Sequence, residues 1–134
     1  MDAVQALADL TEISSQIQAA VLFDESGAVQ GSTLANDGAA EALARAGADL
    51  LERAAGFRSE GEVTQLEAST GAGSVFVVRE GARRIAAVTG PAPTVGLVFY
   101  DLKSCLRSVA AEEKPKPKRT PRTSAKGGDG DAAA

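Results

Sequence analysis

The chain has 134 residues, a formal net charge of −4, a single Cys and neither His nor Trp. That length fits one domain, and the missing imidazole excludes Ser-His-Asp and Cys-His catalysis, histidine metal ligation and an imidazole proton shuttle. The lone Cys105 can form neither an internal disulfide nor a thiolate cluster, and aromatics at 4% leave Ala, Val, Leu and Ile to build a modest core.

Residues 3–17 predict a helix, with Ala3, Ala6, Leu7, Leu10, Ile13 and Ile17 on one apolar stripe. Asp2 is its N-cap candidate. The apolar run 19–23 predicts a buried strand, the polar stretch 24–27 ends in Gly as a tight turn does, and 29–33 predicts the partner strand. A second helix opens at Asn36 or Asp37, with Leu43, Ala46, Gly47, Leu50, Leu51 and Ala54 as its stripe. Glu41 with Arg45, and Asp49 with Arg53, stand four apart with the acid first, as a solvated helix face prefers. The small side chains stand out: Ala39, Ala40, Ala42, Ala44, Ala46, Gly47, Ala48, Ala54 and Ala55. Two readings stand: high helix propensity, or close approach to another backbone.

After a break at 56–61, the mixed polarity of 63–69 predicts an edge strand. A turn at 70–73 leads to a well-buried strand at 74–79, a second turn at 80–83 and a fifth strand at 84–89. Gly90-Pro91-Ala92-Pro93 stops it, and Thr94 is the N-cap candidate of a last helix. Its stripe is Val95, Val98, Phe99, Leu102, Cys105, Leu106 and Val109. Strands in runs joined by tight turns predict an α+β fold with antiparallel pairing and helices on both faces.

The pattern ends near Glu112. Residues 1–111 form the predicted domain, with 14 acidic and 8 basic side chains, net −6. Residues 112–134 carry 4 acidic and 6 basic, net +2, in a Lys/Pro-rich run followed by a Gly/Asp/Ala stretch. That composition cannot offset the entropy of ordering and predicts a disordered tail. The acidic body argues against nucleic acid, and the basic tail has no aromatic for base stacking. Met1-Asp2-Ala3 lacks a basic leader, and no apolar run approaches the ~18 residues of a membrane helix. A cytoplasmic location without a membrane span is the expectation.

Chemistry-bearing motifs are scarce. The sequence lacks a GxxxxGK[ST] phosphate loop. Gly71-Ala72-Gly73 leads into a strand, with Phe76 where a dinucleotide fingerprint needs its third glycine. Asp24, Glu25, Glu60, Glu62 and Glu67 fall in or beside turns and the edge strand, so solvated roles are expected. Arg83-Arg84 sits at a hairpin tip, and Cys105 falls on an apolar stripe as a small core residue does.

The stretch Ala19-Ala20-Val21-Leu22-Phe23-Asp24-Glu25-Ser26-Gly27-Ala28-Val29 precedes the alanine-rich helix. With Ser74-Val75-Phe76-Val77-Val78, Ile85-Ala86-Ala87-Val88-Thr89 and the final helix, it resembles the roadblock family over residues 3–110. That family includes roadblock-type dynein light chains and bacterial regulators of small Ras-like GTPases, and the alanine content and Lys-Pro tail look bacterial. The resemblance implies a roadblock/profilin-like fold: a five-stranded antiparallel sheet, first and last helices on one face, the second on the other. It also implies a homodimer in which the second helix and the third strand meet their own copies. The interface expected is Leu43, Ala46, Gly47, Leu50 and Ala54 with Val63, Gln65 and Leu66. The implied function is a non-enzymatic scaffold that binds a Ras-like GTPase or its signalling complex, without cofactor. The rival reading is a small-molecule-sensing domain, against which the few aromatics weigh.

Overall fold

In the computed structural model, which describes residues 2–57 and 61–113, both capping expectations at the first two helices are met. Asp2 accepts a hydrogen bond from the Gln5 amide at 2.8 Å and opens α1 (Ala3–Ile13). Asn36 accepts one from the Ala39 amide at 3.0 Å and opens α2 (Asp37–Ala55). Each side chain satisfies one of the amides that a helix start leaves unpaired. The other elements are β1 (Ile17–Asp24), β2 (Val29–Ser32), β3 (Gln65–Thr70), β4 (Gly73–Glu80), β5 (Arg83–Thr89) and α3 (Val95–Glu113).

α1 is shorter than its periodicity predicts. The Ser14 amide donates to the Leu10 carbonyl and Ser14 turns extended, which ends the helix. Ile17 keeps helical spacing by coincidence; it begins β1 and reaches the core from the sheet. Ile13, counted in the stripe, is 72% exposed. α3 continues through Glu113, two residues into the segment assigned to the tail, and the disorder expected beyond it lies outside the described residues.

The five strands form one antiparallel sheet in the order β2-β1-β5-β4-β3. Alternation along each strand divides the core between two faces. Ala20, Leu22, Phe76, Val78, Ile85 and Ala87 meet α1 and α3. Val21, Phe23, Val77 and Ala86 meet α2. On the first face Phe76 and Phe99 pack edge to face, ring centroids 5.0 Å apart. The architecture is therefore the α+β arrangement expected, with the helices distributed two and one.

The hairpin turns follow from local chemistry. In the β1–β2 turn Asp24 accepts from the Ser26 hydroxyl at 2.7 Å and from the Ser26 and Ala28 amides at 2.9 and 3.0 Å, while Gly27 takes a φ of +90°. Those bonds, the Ser26 hydroxyl foremost, hold the Asp24 carboxyl below its ordinary range. At the β3–β4 turn the constraint is long-range. Gly73 has a φ of +154°, and a Cβ there would collide with the Thr89 carbonyl oxygen of β5.

Gly73→Ala is expected to destabilise the domain by about 2–3 kcal/mol, through backbone strain and displacement of β5. Urea unfolding followed by circular dichroism should show the lowered midpoint, whereas Gly71→Ala, where an added Cβ meets open space, should stay near wild type.

Candidate interaction surface on α2 and β3

α2 approaches the sheet through small side chains. Ala40, Ala44, Gly47 and Leu51 are its buried residues, spaced four, three and four apart. At Gly47 an added Cβ would stand 3.1 Å from the Ala86 Cβ and 3.2 Å from Phe23 Cζ. Both readings of the alanine content therefore apply, to different residues. Ala40, Ala44 and Gly47 permit close approach to β1 and β5, while Ala39, Ala42, Ala46 and Ala55 are exposed and contribute helix propensity.

At 100° per residue, two flanks rise from this buried line. On one, Glu41, Arg45 and Ala48 face Ser26, Gly27, Ala28 and Val29 of the first hairpin across a cleft. On the other, Leu43 and Leu50 are half-buried and pack at the margin of the core, as do Val63, Leu66 and Val75. Ala54 is half-buried and Ala46 exposed along the same flank. An apolar band thus runs the length of α2 on the side toward β3 and β4.

β3 ends the sheet. The Arg79 amide donates to the Thr64 carbonyl at 2.8 Å. With the register Gln65↔Val78 to Thr70↔Gly73, this turns the amides of Leu66, Ala68 and Thr70 toward β4. Those of Gln65, Glu67 and Ser69 point off the sheet. The apolar band of α2 and an open row of backbone donors and acceptors therefore lie side by side.

Of the eight residues expected at an interface, Leu43, Leu50, Val63 and Leu66 gather at this margin, with Ala46 and Ala54 on the flank and Gln65 on the edge. Gly47 lies beneath the helix, covered by its own sheet. Sequence reasoning missed Phe57, 86% exposed just past the C-terminus of α2. An aromatic placed directly after the Gly56 break was the available signal. It also missed Val75, which alternation places on the α2 face.

Glu62 and Glu67 have structural partners. Glu62 lies 3.4 Å from the Arg79 guanidinium, and Glu67 accepts from Ser69 and Ser74 at 2.7 and 2.9 Å; Glu60 is outside the described residues. Arg84 donates to the Ala82 carbonyl of its own hairpin at 2.8 Å. Burial, then the charge of Asp9, pushes the Cys105 thiol up to about 11, away from thiolate chemistry. Among the described residues, no group of three or more Cys, Asp or Glu could hold a metal ion, and no helix is long and apolar enough to cross a membrane.

Neither protein-family models nor curated proteins match this sequence. Solved structures do. The roadblock/LC7 domain from Streptomyces avermitilis is 20% identical with a TM-score of 0.74, over 84% of this chain and 98% of that one. The gliding protein MglB from Thermus thermophilus is 15% identical with a TM-score of 0.68, over 81% and 86%. Profilin II from Acanthamoeba castellanii, at 12% identity, has a TM-score of 0.52 over 73% and 88%. The chain has the roadblock/profilin-like fold.

Gly47→Arg should act on stability first. A side chain forced between α2 and the sheet is expected to cost about 3 kcal/mol or more, seen as a large fall in the thermal midpoint at every protein concentration. A wild-type midpoint would contradict the packing described.

Proposed function

We propose that the chain is a non-enzymatic homodimeric regulatory module that binds a small Ras-like GTPase or the signalling complex around one. The observation that carries the reading is the apolar flank of α2 lying beside the open edge of β3. A two-fold operation satisfies both features at once. β3 pairs with its own copy and extends the sheet, which completes the outward hydrogen bonds of Gln65, Glu67 and Ser69. α2 meets its symmetry mate along Leu43, Ala46, Leu50 and Ala54, where small residues let the helices approach closely. Val63 and Leu66 then lose their remaining exposure.

The partner assignment rests on the resemblance of the sequence to bacterial GTPase regulators and on the shared fold. The residues agree with regulation by binding. Arg84, placed at a hairpin tip, is engaged by the carbonyls of its own turn and not extended as a catalytic finger. The domain expected over residues 1–111, whose last helix runs on to Glu113, forms the binding body and the rest of 112–134 a tail attached to it, in the cytoplasm.

Ala46 is exposed in the single chain, so Ala46→Arg leaves the core intact and tests the interface alone. Sedimentation equilibrium should show a wild-type dimer and a variant whose dimer dissociation constant is raised on the order of a hundredfold, by an unpaired charge in an apolar contact. An undisturbed variant dimer would refute the mapping. Affinity capture from the native host should retain a Ras-like GTPase on the wild type.

A further inference from the structure

The opposite layer carries a second, separate feature. α1 and α3 leave between them a groove of about 300 Å³, lined among others by Asp9, Leu10, Ile13, Tyr100, Asp101 and Cys105. Its rim is apolar and acidic. Ile13 is 72% and Tyr100 65% exposed. α1 contains Asp9 and Glu12 and neither Lys nor Arg, and Asp101 of α3, buried, lines the groove floor opposite. The helical repeat turns Lys103 away from the groove; Arg107, two turns beyond Tyr100 on the outer face of α3, is outside the groove lining and pairs with Glu80 at 3.2 Å. The groove therefore meets solvent with negative charge and two large apolar side chains.

We propose that this groove is the docking site of the chain's own basic segment, residues 114–122. Lys114-Pro115-Lys116-Pro117-Lys118-Arg119-Thr120-Pro121-Arg122 brings five cations and no anion to a rim that holds the reverse. The reach is sufficient. α3 ends at Glu113, about 8 Å beyond Ser108 and about 20 Å beyond Tyr100 along the helix axis. Nine extended residues span about 30 Å, so the segment can turn back and cover the groove within one chain. Its alternating prolines favour an extended backbone, which lowers the entropy lost on docking. The Tyr100 ring offers a face to Lys or Arg, and the half-buried Asp9 carboxylate in the groove, with exposed Glu12 beyond it on α1, the opposite charge. Docked, the segment screens the acidic body and covers Ile13 and Tyr100. Released, it frees that surface for another basic partner.

Paramagnetic relaxation tests the assignment in the full chain. A nitroxide is placed by Thr120→Cys in a Cys105→Ser background, and amide signals are read across the domain. The Ile13, Tyr100 and Asp101 signals should lose at least half their intensity, while Gly27 to Val29, on the first hairpin, keep theirs. The loss should disappear at an ionic strength of about 1 M, where screening acts over ~3 Å, and in Asp9→Lys/Glu12→Lys, provided the remaining spectrum stays folded. Uniform or absent broadening, or broadening indifferent to salt and to charge reversal, would overturn the proposal. So would broadening seen only when a labelled copy is mixed with an isotopically enriched unlabelled one, which assigns the groove to a neighbour's tail.

Discussion

The structure depends on the close contact between α2 and the centre of the sheet. Gly47 places its backbone directly over Ala86 and Phe23, without room for a methyl group that does not displace a neighbour. Ala40 and Ala44 continue the contact toward the start of the helix, and Leu51 closes it one turn later. A helix seated this low buries a narrow line of its own surface. Its leucines at 43 and 50 are consequently left half-buried at the margin of the core, where Val63, Leu66 and Val75 also pack. A bulkier contact line would lift α2 and change what this margin presents.

The other face is built differently. α1 and α3 meet the sheet through Leu7, Leu10, Val98, Leu102 and Leu106, which fill the space over Leu22, Phe76 and Ile85. That layer holds the larger of the two core clusters. The division is consistent with a functional one. A face that already holds most of the apolar burial can leave the opposite face and the edge beside it open to a partner. The β3 edge, carrying Glu67 and Ser69 with outward backbone groups, is polar enough to remain soluble yet regular enough to be extended.

Much of this is legible in the sequence because the signals are local. Glycine-containing turns between apolar runs mark three hairpins, and Asp2 and Asn36 mark two helix starts. The differences arise where local pattern and tertiary contact disagree. Ile17 continues the α1 period although Ser14 has already ended the helix. On α2, a single stripe through Leu43, Ala46, Gly47, Leu50, Leu51 and Ala54 divides in the structure into an inward line and an outward flank. Alanine fits a core and a surface equally well, so hydrophobicity cannot phase that helix. The need for glycine at 73 is hidden in the sequence because the obstructing carbonyl belongs to Thr89 on β5, far along the chain. The distribution of the helices over the two faces is implied by the family resemblance, not by periodicity, and the strand order by neither.

Hydrogen exchange at the β3 edge tests the central claim most directly. The amides of Gln65, Glu67 and Ser69 have no strand beside them in the single chain, whereas those of Leu66 and Ala68 face β4. If β3 joins its own copy, all five are protected at high protein concentration. On dilution below the dimer dissociation constant, the three outward amides lose protection while the inward pair keeps it. Free exchange of Gln65, Glu67 and Ser69 at every concentration would contradict the account.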